Sequence, residues 1–228
     1  MPRHLILINP SNRVEPSSHE GFKTILYQSV CTELRSVVLD TLSLTQVLRE
    51  QENRDPRLDP AAFQSTIIYV GHRMIESDLF YLDFTIDNSF DKLVQLALIG
   101  FQNTFWLGIG RKLVRFSLLI ERFRAVAQSI YQHDRNRRKV VFWALFMGRL
   151  SLVGKPDDSW LIPKLKILAE QLELRTWPEV SGTLKEFPWV MALHDPPGVR
   201  LWNAIIGQTP SLQSVGTAPM FSGLTFVR

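Results

Sequence analysis

Between residues 142 and 202 the chain carries five of its six tryptophans: Trp143, Trp160, Trp177, Trp189 and Trp202. A tryptophan buries about 150–250 Å², so it needs a core thick enough to receive it. Each of these five falls at or near a predicted helix start, helix centre or turn. A fold that must house all of them is restricted to short helices pinned into one core, and Phe146 joins the anchors from the same helix as Trp143. Truncating a buried tryptophan to alanine costs about 3–5 kcal/mol, so the rings are read as structural anchors before they are read as a ligand pocket.

The 228 residues are enough for one large helical domain or two small ones. Hydrophobic residues at 45% and charged residues at 21% match a globular protein with a sizeable core. The formal charge of +4 is mild. Nucleic-acid modules concentrate their positive charge far more, so direct DNA binding is not expected. Cys31 is the sole cysteine, which excludes an internal disulfide and any multi-cysteine zinc site and fits a reducing compartment. Cys31 itself reads as a small, partly buried hydrophobe. The apolar run at residues 5–8 is too short for a secretory signal core. Gln102, Asn103 and Arg149 interrupt the longest apolar stretches, so no membrane-spanning helix is expected.

Residues 1–19, with Pro2, Pro10 and Pro16, read as a loose leader. Residues 22–48 place Ile25, Val30, Leu34, Val37, Val38, Leu44, Val47 and Leu48 at helical spacing, in one long helix or two shorter ones. After a polar linker, Asp59 caps and Pro60 opens a helix running to about residue 77. Phe63, Ile67, Val70 and Met74 form its buried face, with Ile68 on the flank. Residues 90–107 are a strongly apolar helix that Gly108 and Gly110 break. A helix over 111–131 puts Leu113, Phe116, Ile120, Phe123 and Ala127 on one side and Arg111, Arg115 and Arg122 on the other. Asp134 or Asn136 caps the next, which runs through Arg149 and is apolar nearly all round, as a central helix is.

The last third is punctuated by caps. Asp157 and Asp158 ahead of Ser159 suit a helix N-terminus on capping and dipole grounds, and Pro163 lies early enough to be tolerated or to tilt the first turn. Thr176-Trp177-Pro178-Glu179 is a capping box with proline in the first turn. Asp195 before Pro196 and Pro197 marks a helix start leading to Trp202 and Ile205. Beyond Gly207 the chain turns Ser, Thr, Gly and Pro rich and reads as a mobile tail over 208–228. Nowhere is there sustained alternation. The expected fold is all-α: a single domain of packed antiparallel helices over 20–207.

The motifs carry little chemistry. Gly108-Ile109-Gly110 lacks the third glycine of a dinucleotide loop and ends a helix where that motif follows a strand, so it is a helix break. His72, His133 and His194 stand apart, beside charges or turns, and read as surface or capping residues. Asp78, Asp83 and Asp87 share a loop whose spacing fits no calcium site. No catalytic, metal or cofactor-binding residues emerge, and no cofactor is expected. The run Arg135, Arg137, Arg138 and Lys139 opens a helix, where the macrodipole disfavours cations by about 0.3–1 kcal/mol each. Either solvation or internal acids compensate it, or it is an import or acidic-partner patch.

From residue 141 onward the chain resembles the C-terminal half of the regulatory domain of fungal zinc-binuclear-cluster transcription factors. The resemblance rests on Trp143-Ala144-Leu145-Phe146-Met147-Gly148, on Trp160 with Leu161, Leu165 and Leu168, and on Thr176-Trp177, Trp189 and Trp202. Upstream, residues 91–106 are similar to that family's helix of small and aliphatic residues ending in aromatics, so the likeness spans about residues 60–205. It implies a non-enzymatic helical regulatory domain in the nucleus, or otherwise the cytoplasm. Such a domain modulates transcription through protein partners, either the transcriptional machinery or a full-length factor, or through a small effector. The family's DNA-reading module needs six cysteines for two zinc ions, and this chain has one. The alternatives are a generic helical interaction scaffold and an all-α enzyme, for which residues 78–87 and His72 would be the first place to look.

The anchor reading predicts that Trp143→Ala lowers the melting temperature by several degrees; an unchanged thermal unfolding curve would count against it.

Overall fold

A computed structural model describes residues 30, 32–51, 59–76, 89–107, 117–131 and 134–207. Among them eight α-helices and one 3-10 turn are present and no strand, so the fold is all-α. The expectations for residues 1–19, Cys31, residues 78–87, Gly108 to Gly110, Arg111, Leu113, Arg115, Phe116, His133 and residues 208–228 lie outside the described residues.

The centre is helix α5, Arg135–Ser151, packed along helix α3, Ser89–Leu107. Asp134 starts α5 by accepting the backbone N–H of Arg137 at 2.8 Å, choosing between the two caps that the sequence offers. Nine consecutive residues, Val140 to Gly148, are then buried on every side. A helix apolar all round can be satisfied only by neighbours all round. Besides α3, they are α6 (Asp158–Gln171), α7 (Trp177–Leu184) and α8 (Met191–Ile205). Helix α4, Ser117–Ser129, closes the α3 side; the tip of the Phe123 ring fills the space beside Gly148 of α5, and a Cβ at that glycine would clash with it.

Two N-terminal helices, α1 (Thr32–Gln51) and α2 (Pro60–Glu76), pack together and against α3. Asp59 caps α2 through the N–H groups of Ala61 and Ala62, with Pro60 as the first helical residue. Ile67, Val70 and Met74 are buried as expected, and Phe63 is half-buried edge-on to Phe105. Ile68 corrects the expectation: one residue from Ile67 is a 100° turn, which carries it off the stripe to 43% exposure. The buried threonines Thr41 and Thr45 return their hydroxyls to the carbonyls of Val37 and Thr41 one turn back.

Polar side chains set the register of α2 on α3. Gln95 Nε2 donates to the Met74 carbonyl at 3.0 Å, and Gln102 Nε2 donates to that of Ile67. Seven residues forward on α3 meet seven residues back on α2, as antiparallel helices require. Gln102 lies over Gly71, the position in α2 where a side chain would obstruct it. Arg73 ties α2 to α1 through the buried Asp40 and through Ser36 Oγ at 2.7 Å.

Helices α4 and α6 are joined the same way. Lys164 donates to the carbonyls of Ala127, Gln128 and Ile130, which terminate α4, and burial lowers its pKa. Asp157 was expected as a side-chain cap for α6. It stands in the capping position, but its carboxylate bonds no backbone N–H there. Instead it takes the Arg124 guanidinium at 2.5 and 3.0 Å and the Trp160 indole at 3.0 Å. A bidentate charged pair outcompetes neutral amide donors, and with the Arg124 bonds leading, it holds the Asp157 carboxyl below its usual range.

The other corrected boundary is α8, which begins at Met191 rather than after Asp195. Pro196 and Pro197 are its sixth and seventh residues, well inside the helix. His194, Gly198, Leu201, Trp202 and Ile205 are all buried and fall on one face at helical spacing. That stripe starts upstream of the prolines and carries the helix through them.

Glycines test the packing. At Gly198 a Cβ would meet the Trp177 ring at 2.6 Å and the Trp189 ring at 3.3 Å, whereas at Gly182 in α7 it would meet nothing within 4 Å. Gly198→Ala is therefore expected to destabilise by about 1–3 kcal/mol through overpacking. Gly182→Ala is expected to stabilise by up to about 1 kcal/mol through helix propensity. Urea unfolding of the two variants checks both signs.

Candidate functional site

Four of the sequence-predicted anchors, Trp143, Phe146, Trp177 and Trp189, gather about the segment that crosses from α7 to α8. Phe187, Pro188, Trp189 and Val190 are all buried, yet they lie outside either helix. Buried irregular backbone is costly because its amides lack ladder partners, so side chains must supply them.

They come from every direction. The N–H groups of Glu186 and Phe187 turn back onto the Thr183 and Leu184 carbonyls. Trp143, at the centre of α5, donates its indole N–H to the Pro188 carbonyl at 3.2 Å and stacks on Phe187 at 5.5 Å. Arg49, in the last turn of α1, donates Nε to the Trp189 carbonyl at 2.9 Å. Its Nη2 donates to the carbonyls of Lys185 at 2.9 Å and Phe187 at 3.1 Å. Trp189 in turn donates its indole N–H to Asp195 at 2.7 Å, which gives that aspartate a tertiary role in place of the cap expected of it.

His194 completes the crossing. It was expected at the surface or in a cap, but its exposure is 1%. Nδ1 accepts the Val190 N–H at 2.8 Å, so the ring caps the start of α8 from inside the core. The proton of the neutral ring then sits on Nε2 and is donated to Thr104 Oγ1 of α3 at 2.9 Å. Thr104 passes its own proton to the Phe101 carbonyl at 2.6 Å. The rings of Trp189 and Phe101 flank the imidazole, with centroids 4.9 and 5.5 Å away. Burial, with a lesser contribution from the Arg49 charge, lowers its pKa from 6.5 to about 3. Both nitrogens are committed to the core, which leaves the ring no free lone pair for proton transfer to a solvent-borne substrate.

The anchors divide by depth. Trp143, Phe146 and Trp189 are fully buried, and Trp202 nearly so; Trp160 and Trp177 are half-buried. Phe146 meets Trp189 at 6.1 Å and Trp177 at 6.5 Å, and Trp189 meets His194, so three of the six anchors and His194 form one aromatic cluster, with the Trp143–Phe187 stack tied to the same crossing through Pro188. Trp160 stands apart on α6 with Asp157 and Arg124.

The basic run at the start of α5 reaches three different partners. Arg135 reaches the Leu172 carbonyl at 3.3 Å and Glu173 at 3.4 Å, an exposed pair that is worth little. Arg137 lies 5.3 Å over the Phe90 ring at the start of α3. Lys139 grips Glu186, on the crossing itself, at 2.7 and 2.9 Å. Arg138 is half-buried beside them. Arg122, expected on a solvated face, is half-buried too, and His72 is exposed on α2.

Sequence reasoning placed the tryptophans and missed the residues that serve the crossing: Arg49, Thr104 and Glu186. One signal was available. Phe187-Pro188-Trp189-Val190 is an apolar run lying between two helix signatures, and a buried linker must borrow its donors from elsewhere. Among the described residues no group of three or more His, Cys, Asp or Glu is arranged to hold a metal ion. No described helix is long and apolar enough to cross a membrane. No protein-family model matches the chain, and no curated protein or solved structure matches it.

Arg49→Met keeps the aliphatic stem and removes the donors to the Lys185, Phe187 and Trp189 carbonyls. Leaving buried acceptors unpaired costs about 1–3 kcal/mol each, less where water can reach. The variant should unfold at lower urea concentration with an unchanged slope; an unshifted midpoint would show that the crossing does not depend on this arginine.

Proposed function

We propose that the chain is a non-enzymatic helical regulatory domain of the kind found in fungal zinc-binuclear-cluster transcription factors, acting through protein contacts or a small effector. The observation that carries the reading is the order and placement of the aromatic anchors. The Trp143 to Gly148 segment lies in the central helix, Trp177 and Trp189 from the next elements meet its Phe146 ring, and Trp202 is buried on α8. The resemblance therefore rests on residues that share one core rather than on scattered composition.

The chemistry of the described residues supports a binding role over a catalytic one. The charged groups nearest the aromatic cluster, Arg49, Asp195 and Lys139, hold the crossing in place. The zinc cluster's six cysteines are not among these 228 residues, so these residues do not themselves supply that family's DNA-reading module.

Tethering tests this. The full chain, fused to a heterologous DNA-binding domain in a fungal reporter strain, is expected to change reporter expression several-fold. The purified chain without the fusion is expected to lack the steep loss of DNA affinity with salt that marks direct phosphate contacts. A reporter indistinguishable from the unfused control, together with recovery of no transcriptional component from nuclear extract, would overturn the regulatory reading and leave a helical scaffold.

A further inference from the structure

The geometry around His194 carries an inference beyond the regulatory reading, because one imidazole holds the buried crossing between α7 and α8. Three observations converge. The first turn of α8 is weakly held by its own backbone: Pro196 and Pro197 bring no N–H to the helix ladder. No cap side chain lies at Val190 itself, and the His194 ring takes that N–H instead. The other ring nitrogen is the link from α8 to α3, through Thr104. One imidazole thus supplies both the local cap and a tertiary tie, and it does so only as the neutral tautomer protonated at Nε2.

We propose that His194 is an acid-released latch: a proton on Nδ1 replaces the acceptor of the Val190 N–H by a donor facing it, and the crossing at residues 187–190 comes away from α1 and α3 together with the first turn of α8. Among the described residues, on every element packed against α8, the one charge acting on the ring is a cation. On α1 the facing charge is Arg49, of the same sign. From α3 it meets Phe101 and Thr104, both uncharged, and from the crossing it meets the Trp189 ring. The one acid beside it in its own helix, Asp195, is engaged by the Trp189 indole. The released segment carries Trp189 with it and exposes the aromatic cluster.

The direction with pH follows from the ring's lowered affinity for protons. A histidine held neutral in the fold, with its pKa near 3, binds a proton in the opened state as pH falls below the ordinary value of 6.5. The latch is fully closed above that pH, and the opening equilibrium grows about tenfold for each unit below it. Asp157 and Glu179, whose carboxyls are also held below their ordinary values, start from 3.8 and 4.5. Their contributions are lost only under about pH 4.5, outside the window.

Amide hydrogen exchange on the unmodified protein between pH 7.5 and 5.0, corrected for intrinsic rate, tests the latch without any variant. Protection of the amides at residues 190–195 is expected to fall about tenfold per unit below pH 6.5, while amides at 140–148 in α5 lose far less. Equal losses in both segments would mean global acid unfolding and overturn a local latch; so would flat protection at 190–195. His194→Asn keeps an oxygen acceptor for the Val190 N–H that does not titrate in this range. It is expected to abolish the pH slope at 190–195, whatever its overall stability, and a slope that survives the substitution would assign the proton to another group.

Discussion

Burying a stretch of chain that is neither helix nor strand is the constraint that organises this protein. The crossing at residues 187–190 runs through the deepest part of the core, and its carbonyls cannot be left without donors. Donors arrive from α1 through Arg49 and from α5 through Trp143, while Val190 donates to an acceptor on α8. Elements far apart in sequence are thereby tied to one short segment. Most helix–helix contacts here are apolar and tolerate small slides, but the hydrogen bonds to the crossing do not, because their geometry is directional.

Much of the architecture was legible from local signals. Asp59 with Pro60, Asp134, and the Thr176 to Glu179 capping box each mark a helix start through groups within four residues of one another. The all-round apolar character of α5 announced a central helix, and α5 is central. Legibility failed where a local signal competed with a distant partner. Asp157 and Asp195 look like caps, yet one is held by Arg124 from α4 and the other by the Trp189 indole. His194 stands beside an acid and two prolines and reads as a surface or capping residue; it does cap, but from inside, because the stripe it opens on α8 is buried. Gln102 read as an interruption in an apolar stretch; it and Gln95 are instead the bonds of α3 to α2.

The candidate site was legible to the same degree. Tryptophan spacing identified the anchors, since large apolar rings declare their own burial. It did not identify Arg49 or Thr104, which are ordinary residues of an amphipathic helix until the crossing is placed against them. The basic run was legible only in kind. Four cations in five residues left solvation, internal acids or an acidic partner open; Lys139 takes the internal acid Glu186, and Arg137 lies over Phe90, for which no local signal stood. Charge along a sequence is visible, but the side to which it turns depends on neighbours folded in later.

The two glutamines of α3 have a mechanical consequence. Because they are seven residues apart and meet carbonyls seven residues apart, they act as a vernier between α2 and α3. A slide of one residue, about 1.5 Å, misaligns both bonds together, so no intermediate position keeps half of them. The hairpin that α2 belongs to has one seat on the central helices and nothing graded around it. Any influence on α1 and α2 must therefore reach the core either unchanged or as a complete unseating.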